Sequence, residues 1–267
     1  MTQNEWRKRE LEDLADFIAT EKGNDKLPVN VAAIAEENGI TYCLGDYQNY
    51  FDGMLEYEDG RFHIYLNNYG VYTLKTPRLR FSFAHELGHY FIDEHRLTLE
   101  SGKSLHHPSK YCIDQRNPVE KEADHFASCL LMPRSLFEKD CKGEFSFEKL
   151  DGLSRRYGTS LPATVSRYME YGSMPIAMVC AKDGIIQYKL FSEDFPYKWL
   201  KTNYKNKVPL LTCAGDYFEN DVVCDNTEKV DAKEWFSTYD NLNGVHVYEH
   251  CVYQKNYGRT LSILWFD

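Results

Sequence analysis

Two histidines four residues apart constrain this chain more than any other feature. From Arg80 to His95 the sequence reads RFSFAHELGHYFIDEH, and the texture around His85-Glu86-Leu87-Gly88-His89 is helical. On an α-helix, positions four apart lie one above the other on one face, so His85 and His89 can aim both imidazoles at a single point. Two imidazoles held in this way make half of a tetrahedral zinc site, and Glu86 can reach a water at the open position. The same five-residue pattern also arises by chance in unrelated chains, so its meaning depends on what surrounds it.

Thr76-Pro77 supplies an N-cap residue and a first-turn proline for this helix, and Leu79, Phe83, Leu87, Tyr90 and Phe91 give it an apolar surface. Upstream, Gly53–Tyr57 and Arg61–Leu66 alternate around Asp59-Gly60, the signature of a β-hairpin. His63 is out of phase with Phe62, Ile64 and Leu66, which puts it on the other side of the sheet. A strand in 61–67 is expected to accept an extended peptide by β-addition. Residues 5–21 read as an amphipathic helix that Gly23-Asn24 ends. Pro28 opens a shorter helix closed by Asn38-Gly39, and Ile40–Leu44 reads as a strand. Thr98 to Asp114 shows no period and reads as a long loop containing His106, His107 and Cys112.

A catalytic zinc takes three protein ligands, and two candidates exist for the third. His95 falls where the metzincin pattern HExxHxxGxxH places its last histidine, but Ile92 stands where that pattern has its turning glycine. Without the turn, His95 lies about 240° around the helix from His89. Glu120 is the other candidate, on a helix opened by Asn117-Pro118 and stopped by Met132-Pro133. Asp124 shares its face four residues on. In that division of labour Glu120 binds metal while Asp124 accepts the outer N–H of a ligating histidine. Glu120 is also placed to be the glutamate of a capping box. Glu122 lies about 200° round and reads as solvated.

AHELGHYF followed by EKEADHFASCLLMP resembles the ImmA/IrrE family of zinc metallo-endopeptidases, over roughly residues 28 to 170. The resemblance implies zinc held by His85, His89 and Glu120, with Glu86 as catalytic acid–base, the gluzincin arrangement. It also implies a protein substrate, a helix-turn-helix transcriptional repressor, and an oxyanion-stabilising Tyr or His that no motif singles out. Some members carry a GAF-like sensor at the C-terminus; here the resemblance fades and no motif establishes one.

The fold class expected is α+β. It comprises an N-terminal helix over residues 1–27 and a zincin-like peptidase domain, with a small antiparallel sheet, over 28–140. A helical hairpin resembling a helix-turn-helix follows over 141–173, around Gly158-Thr159-Ser160, and a β-rich C-terminal domain of sensory or substrate-binding role over 174–267. In the last, Ile176–Ala181, Ile185–Phe191, Val208–Cys213, His246–Gln254 and Thr260–Phe266 read as strands. The formal net charge of −10 over 267 residues argues against a broad nucleic-acid footprint. The first residues, MTQNEWRKRELEDLADF, have no apolar run resembling a signal peptide, and no long apolar stretch spans a membrane. The eight scattered cysteines then read as reduced thiols and the compartment as cytoplasmic. Two competing readings are a non-proteolytic antirepressor that binds a transcription factor and a regulator that binds DNA through the helical pair.

Overall fold

The computed structural model describes residues 2–21, 26–70, 73–102, 106–109, 117–201, 206–238 and 240–267. The chain forms two compact units, residues 1–140 with 152–164, and residues 141–151 with 165–267. Among the described residues no helix is long and apolar enough to cross a membrane.

The first unit opens with α1 (Gln3–Glu21) and α2 (Val31–Glu37). The second helix starts later than Pro28: Asn30 caps it by accepting from the Ala33 N–H, and Asn38-Gly39 ends it, with Gly39 at φ +70°. Gly23-Asn24 lies outside the described residues. Three strands follow, β1 (Thr41–Gly45), β2 (Gly53–Glu58) and β3 (Arg61–Asn67). The β2–β3 turn places Asp59 and Gly60 both at positive φ, which is the two-residue hairpin geometry the Asp-Gly pair favours. Then come α3 (Pro77–Phe91), α4 (Asp93–Glu100), β4 (His106–Ser109), α5 (Pro118–Leu131) and α6 (Arg134–Asp140). The stretch read as a loop from Thr98 thus begins inside a helix and includes a strand. The His106 and His107 side chains, and Cys112, lie outside what is described.

The sheet runs β1-β3-β2-β4, antiparallel except where β1 joins β3 in parallel. Strand β3 is therefore paired on both sides and is closed to β-addition, contrary to expectation; among the described residues the edges are β1 and β4. Phe62, Ile64 and Leu66 point into the core beneath the sheet, where Leu79, Phe83 and Leu87 of α3 meet Phe126, Ala127 and Leu130 of α5. Leu11, Ala15 and Ile18 of α1 close the same core. Gly88 permits the close crossing of α3 and α5. A Cβ there would lie 3.1 Å from the Phe126 ring and 3.3 Å from the Ala123 backbone.

The helical pair is α7 (Phe147–Tyr157) and α8 (Leu161–Tyr171). Its turn belongs to the first unit, where the buried Arg80 guanidinium of α3 donates to the carbonyls of Val29, Tyr157 and Gly158.

The second unit carries β5 (Ile176–Lys182), β6 (Ile185–Phe191), α9 (Cys213–Asn220), β7 (Glu228–Asp231), α10 (Ala232–Trp235), β8 (His246–Gln254) and β9 (Arg259–Trp265). Its sheet runs β6-β5-β9-β8-β7, every neighbouring pair antiparallel. The expected strand Val208–Cys213 is instead the approach to α9: Thr212 caps that helix by accepting from the Gly215 N–H.

Glu249 of β8 is fully buried and accepts from Trp235 Nε1 (2.9 Å), the N–H groups of Cys213 (3.0 Å) and Ala214 (3.2 Å), and the Ser262 hydroxyl (2.7 Å). Burial raises its pKa although all four hydrogen bonds pull the other way. A folded-state value above the ordinary one of about 4.3 means that its stabilising contribution is complete below that value and is lost as pH rises through the folded one. The stability of the wild type relative to Glu249→Gln is therefore expected to fall as pH is raised from about 4 toward neutrality. Urea midpoints of the two proteins read this directly, and a relative stability that climbs with pH would contradict it.

Candidate metal centre

His85 and His89 lie on α3 and Glu120 on the first turn of α5, and the crossing at Gly88 brings them together. The two histidine Nε2 atoms are 3.1 Å apart. Glu120 Oε2 lies 3.4 Å from His85 Nε2, and Oε1 lies 3.4 Å from His89 Nε2. A tetrahedral ion with bonds of about 2.0–2.1 Å spaces its ligand atoms by about 3.3–3.4 Å. The three side chains are buried and form the one group among the described residues able to hold a metal ion. Asn117 caps α5 by accepting from the Val119 N–H, and the carboxylate of Glu120 is turned to the histidines.

The outer nitrogens of both histidines are held as well. Asp124 Oδ1 is 2.8 Å from His85 Nδ1. His89 Nδ1 is 3.2 Å from His95 Nδ1, and His95 Nε2 is 3.4 Å from Glu122 Oε2. With Nε2 of His85 and His89 turned to the centre, each Nδ1–H is the donor. His95 then accepts at Nδ1 and presents Nε2–H to Glu122. Arg7 of α1 in turn donates to Glu122 at 2.8 Å and also reaches Glu10 and Glu94.

His95, weighed above as a third ligand, is thus an outer partner of His89 rather than a member of the triad. The reason is local: Ile92 leaves the helix at φ −78° and ψ 109°, an extended conformation open to a β-branched residue. A new helix starts at Asp93 and brings His95 back behind His89. Glu122 is likewise not simply solvated. Its angular position on α5 was legible, but its partners come from α1 and α4, which no spacing within α5 reveals. Losing Asp124 or His95 to alanine is each expected to weaken metal affinity about 10- to 100-fold. Competition with a chromogenic chelator measures this, and wild-type affinity in both variants would refute the outer roles.

Glu86 is fully buried, and among the described residues neither of its carboxylate oxygens has a hydrogen-bond partner of good geometry. It backs onto β2, where a Cβ added to Gly53 would sit 2.6 Å from Oε1. Burial pushes its carboxyl up to about 7, the charge of Glu120 adds to this, and His85, Ser109 and the Leu55 backbone oppose it. Burial works against a charge on His85, yet Asp124 and Glu120 raise its pKa to about 10. Glu120 is buried too, but its hydrogen bonds to His85 and His89 hold it well below the usual carboxylate range. The centre therefore favours positive charge at the point where the three donors meet.

Residues 54–169 match the family model of the IrrE N-terminal-like domain, Peptidase_M78. This domain belongs to the ImmA/IrrE family. The match runs from β2 into α8 and encloses all of His85, Glu86, His89, Glu120 and Asp124. No curated protein matches the chain. Among solved structures, it is similar to a Mycobacterium tuberculosis transcriptional regulator, at 15% identity and a TM-score of 0.57, over 97% of this chain and 76% of that one. At that identity the likeness speaks for a shared fold.

Proposed function

We propose that this protein, whose residues 54–169 match the IrrE N-terminal-like domain, is a zinc-dependent endopeptidase that hydrolyses a peptide bond in a protein substrate, a helix-turn-helix transcriptional repressor. The reading rests on three buried donors meeting at tetrahedral spacing beside the fully buried carboxylate of Glu86. Two imidazoles and a carboxylate suit zinc, which when bound supplies a Lewis acid and lowers the pKa of its water to about 7. His85, His89 and Glu120 would hold it. Asp124 and His95 keep both imidazoles in the ligating tautomer.

Glu86 acts as the proton carrier. As a buried carboxylate beside the metal-facing donors, it would accept the proton of the attacking water and return it to the leaving amine. An extended substrate has the β4 edge of the sheet to pair with, next to the β2 residues Gly53 and Leu55 that back Glu86. A cleft of about 930 Å³ opens beside His89 and His95, with apolar walls from Trp6, Leu99, Pro118 and Val119. The formal charge of −10 also suits a DNA-binding substrate, whose basic face it attracts.

Where the adjacent reading frame encodes a small helix-turn-helix repressor, that repressor is the substrate to try. Incubated with the protein, it should yield two fragments, the yield vanishing with chelator and returning with zinc. An intact repressor held in a stable complex would replace this reading with the antirepressor one.

A further inference from the structure

A second constellation with the geometry of a nucleophile and its base lies on the face of the first sheet that points away from the core. Parallel pairing of β1 with β3 sets Thr41 opposite His63 and Cys43 opposite Tyr65. His63 Nε2 lies 3.3 Å from Cys43 Sγ, and His63 Nδ1 lies 2.7 Å from Thr41 Oγ1. With the Thr41 hydroxyl donating to the carbonyl of Phe62 (3.4 Å), Oγ1 can accept from His63 Nδ1–H. That tautomer leaves the Nε2 lone pair facing the thiol. The Tyr47 hydroxyl is a further 3.6 Å neighbour of Sγ. Cys43 and His63 are half-buried, and β1 is an edge strand, so a small reagent reaches both.

We propose that Cys43 is a peroxide-reactive thiol, with His63 as its base and Thr41 as the residue that positions His63. A thiol, an adjacent imidazole and a third group that orients the imidazole is the arrangement that activates a sulfur nucleophile. In the step proposed, sulfur attacks one oxygen of hydrogen peroxide, the S–O bond forms and the O–O bond breaks. The sulfur is oxidised to sulfenic acid and the peroxide reduced to water. The thiol proton passes to His63 Nε2 and from there to the departing hydroxide, which leaves as water.

An unassisted thiol of pKa about 8.5 is roughly 3% thiolate at pH 7, so assistance of this kind has a ceiling of about 30-fold. The test treats the reduced full-length protein with hydrogen peroxide and a dimedone trap, followed by peptide mapping over time. Cys43 is expected to be trapped about tenfold faster than Cys224, a thiol of comparable exposure. His63→Gln should remove most of that advantage while leaving trapping at Cys224 and the thermal midpoint unchanged. Thr41→Val should remove part of it. Equal trapping of Cys43 and Cys224 in the wild type would overturn the proposal, as would an undiminished Cys43 rate in a folded His63→Gln protein.

Discussion

Glu86→Gln is expected to keep metal affinity within about twofold of wild type and to lower peptide hydrolysis by about 10³-fold, the middle of the range for a lost acid–base group. The substitution is nearly isosteric, so it fits the space behind Gly53 that admits no larger neighbour. It removes only the ability to take a proton. Folding should not suffer, because the carboxylate it replaces is buried without a hydrogen-bond partner of good geometry, and a neutral group there costs no more than a charged one. Three readouts therefore separate: thermal midpoint unchanged or raised, metal retained, cleavage lost. Normal cleavage by the variant would remove Glu86 from the mechanism. Loss of metal together with activity would make its role one of holding the centre.

Metal binding itself is expected to fail when either side of the α3–α5 crossing is altered. Glu120→Ala deletes one of three donors and should lower affinity on the order of 10³-fold, beyond the 10- to 100-fold typical of outer partners. Gly88→Val should weaken binding at least tenfold without touching a ligand. Even a single Cβ at Gly88 meets the Phe126 ring at 3.1 Å and the Ala123 backbone at 3.3 Å, so a branched side chain must push α5 away. Three donors spaced for one ion tolerate a displacement of only about 0.5 Å. Zinc titration in competition with a chelator measures both variants. Wild-type affinity in Gly88→Val would show that the crossing does not set the donor spacing.

Much of this was legible because it rests on local rules. Thr76-Pro77 opens α3, the i, i+4 spacing aligns His85 with His89, and Asp59-Gly60 makes the hairpin. Asn117-Pro118 and Met132-Pro133 bracket α5 and put Glu120 on the same face as Asp124. What was hidden depends on pairing between distant segments. His95 reaches His89 only because Ile92 takes an extended conformation and restarts the chain as α4, where the glycine of the metzincin pattern is not needed. Glu122 gains its partners from α1 and α4. Strand β3 could not be recognised as interior, since a strand's own alternation does not say how many neighbours it has. Cys43 and His63, twenty residues apart, meet only through a parallel register that neither strand's sequence declares. Val208–Cys213 carries a strand-like composition, yet Pro209 and the capping hydroxyl of Thr212 turn it into the entry to a helix.

His85, His89 and Glu120 are expected to close on one ion. Anomalous diffraction at the zinc edge from crystals of the zinc-loaded protein addresses it most directly. A single strong peak is expected about 2.0–2.2 Å from both histidine Nε2 atoms and from a Glu120 carboxylate oxygen. A peak elsewhere, or one bonded to the histidines with the Glu120 carboxylate turned away, would contradict it.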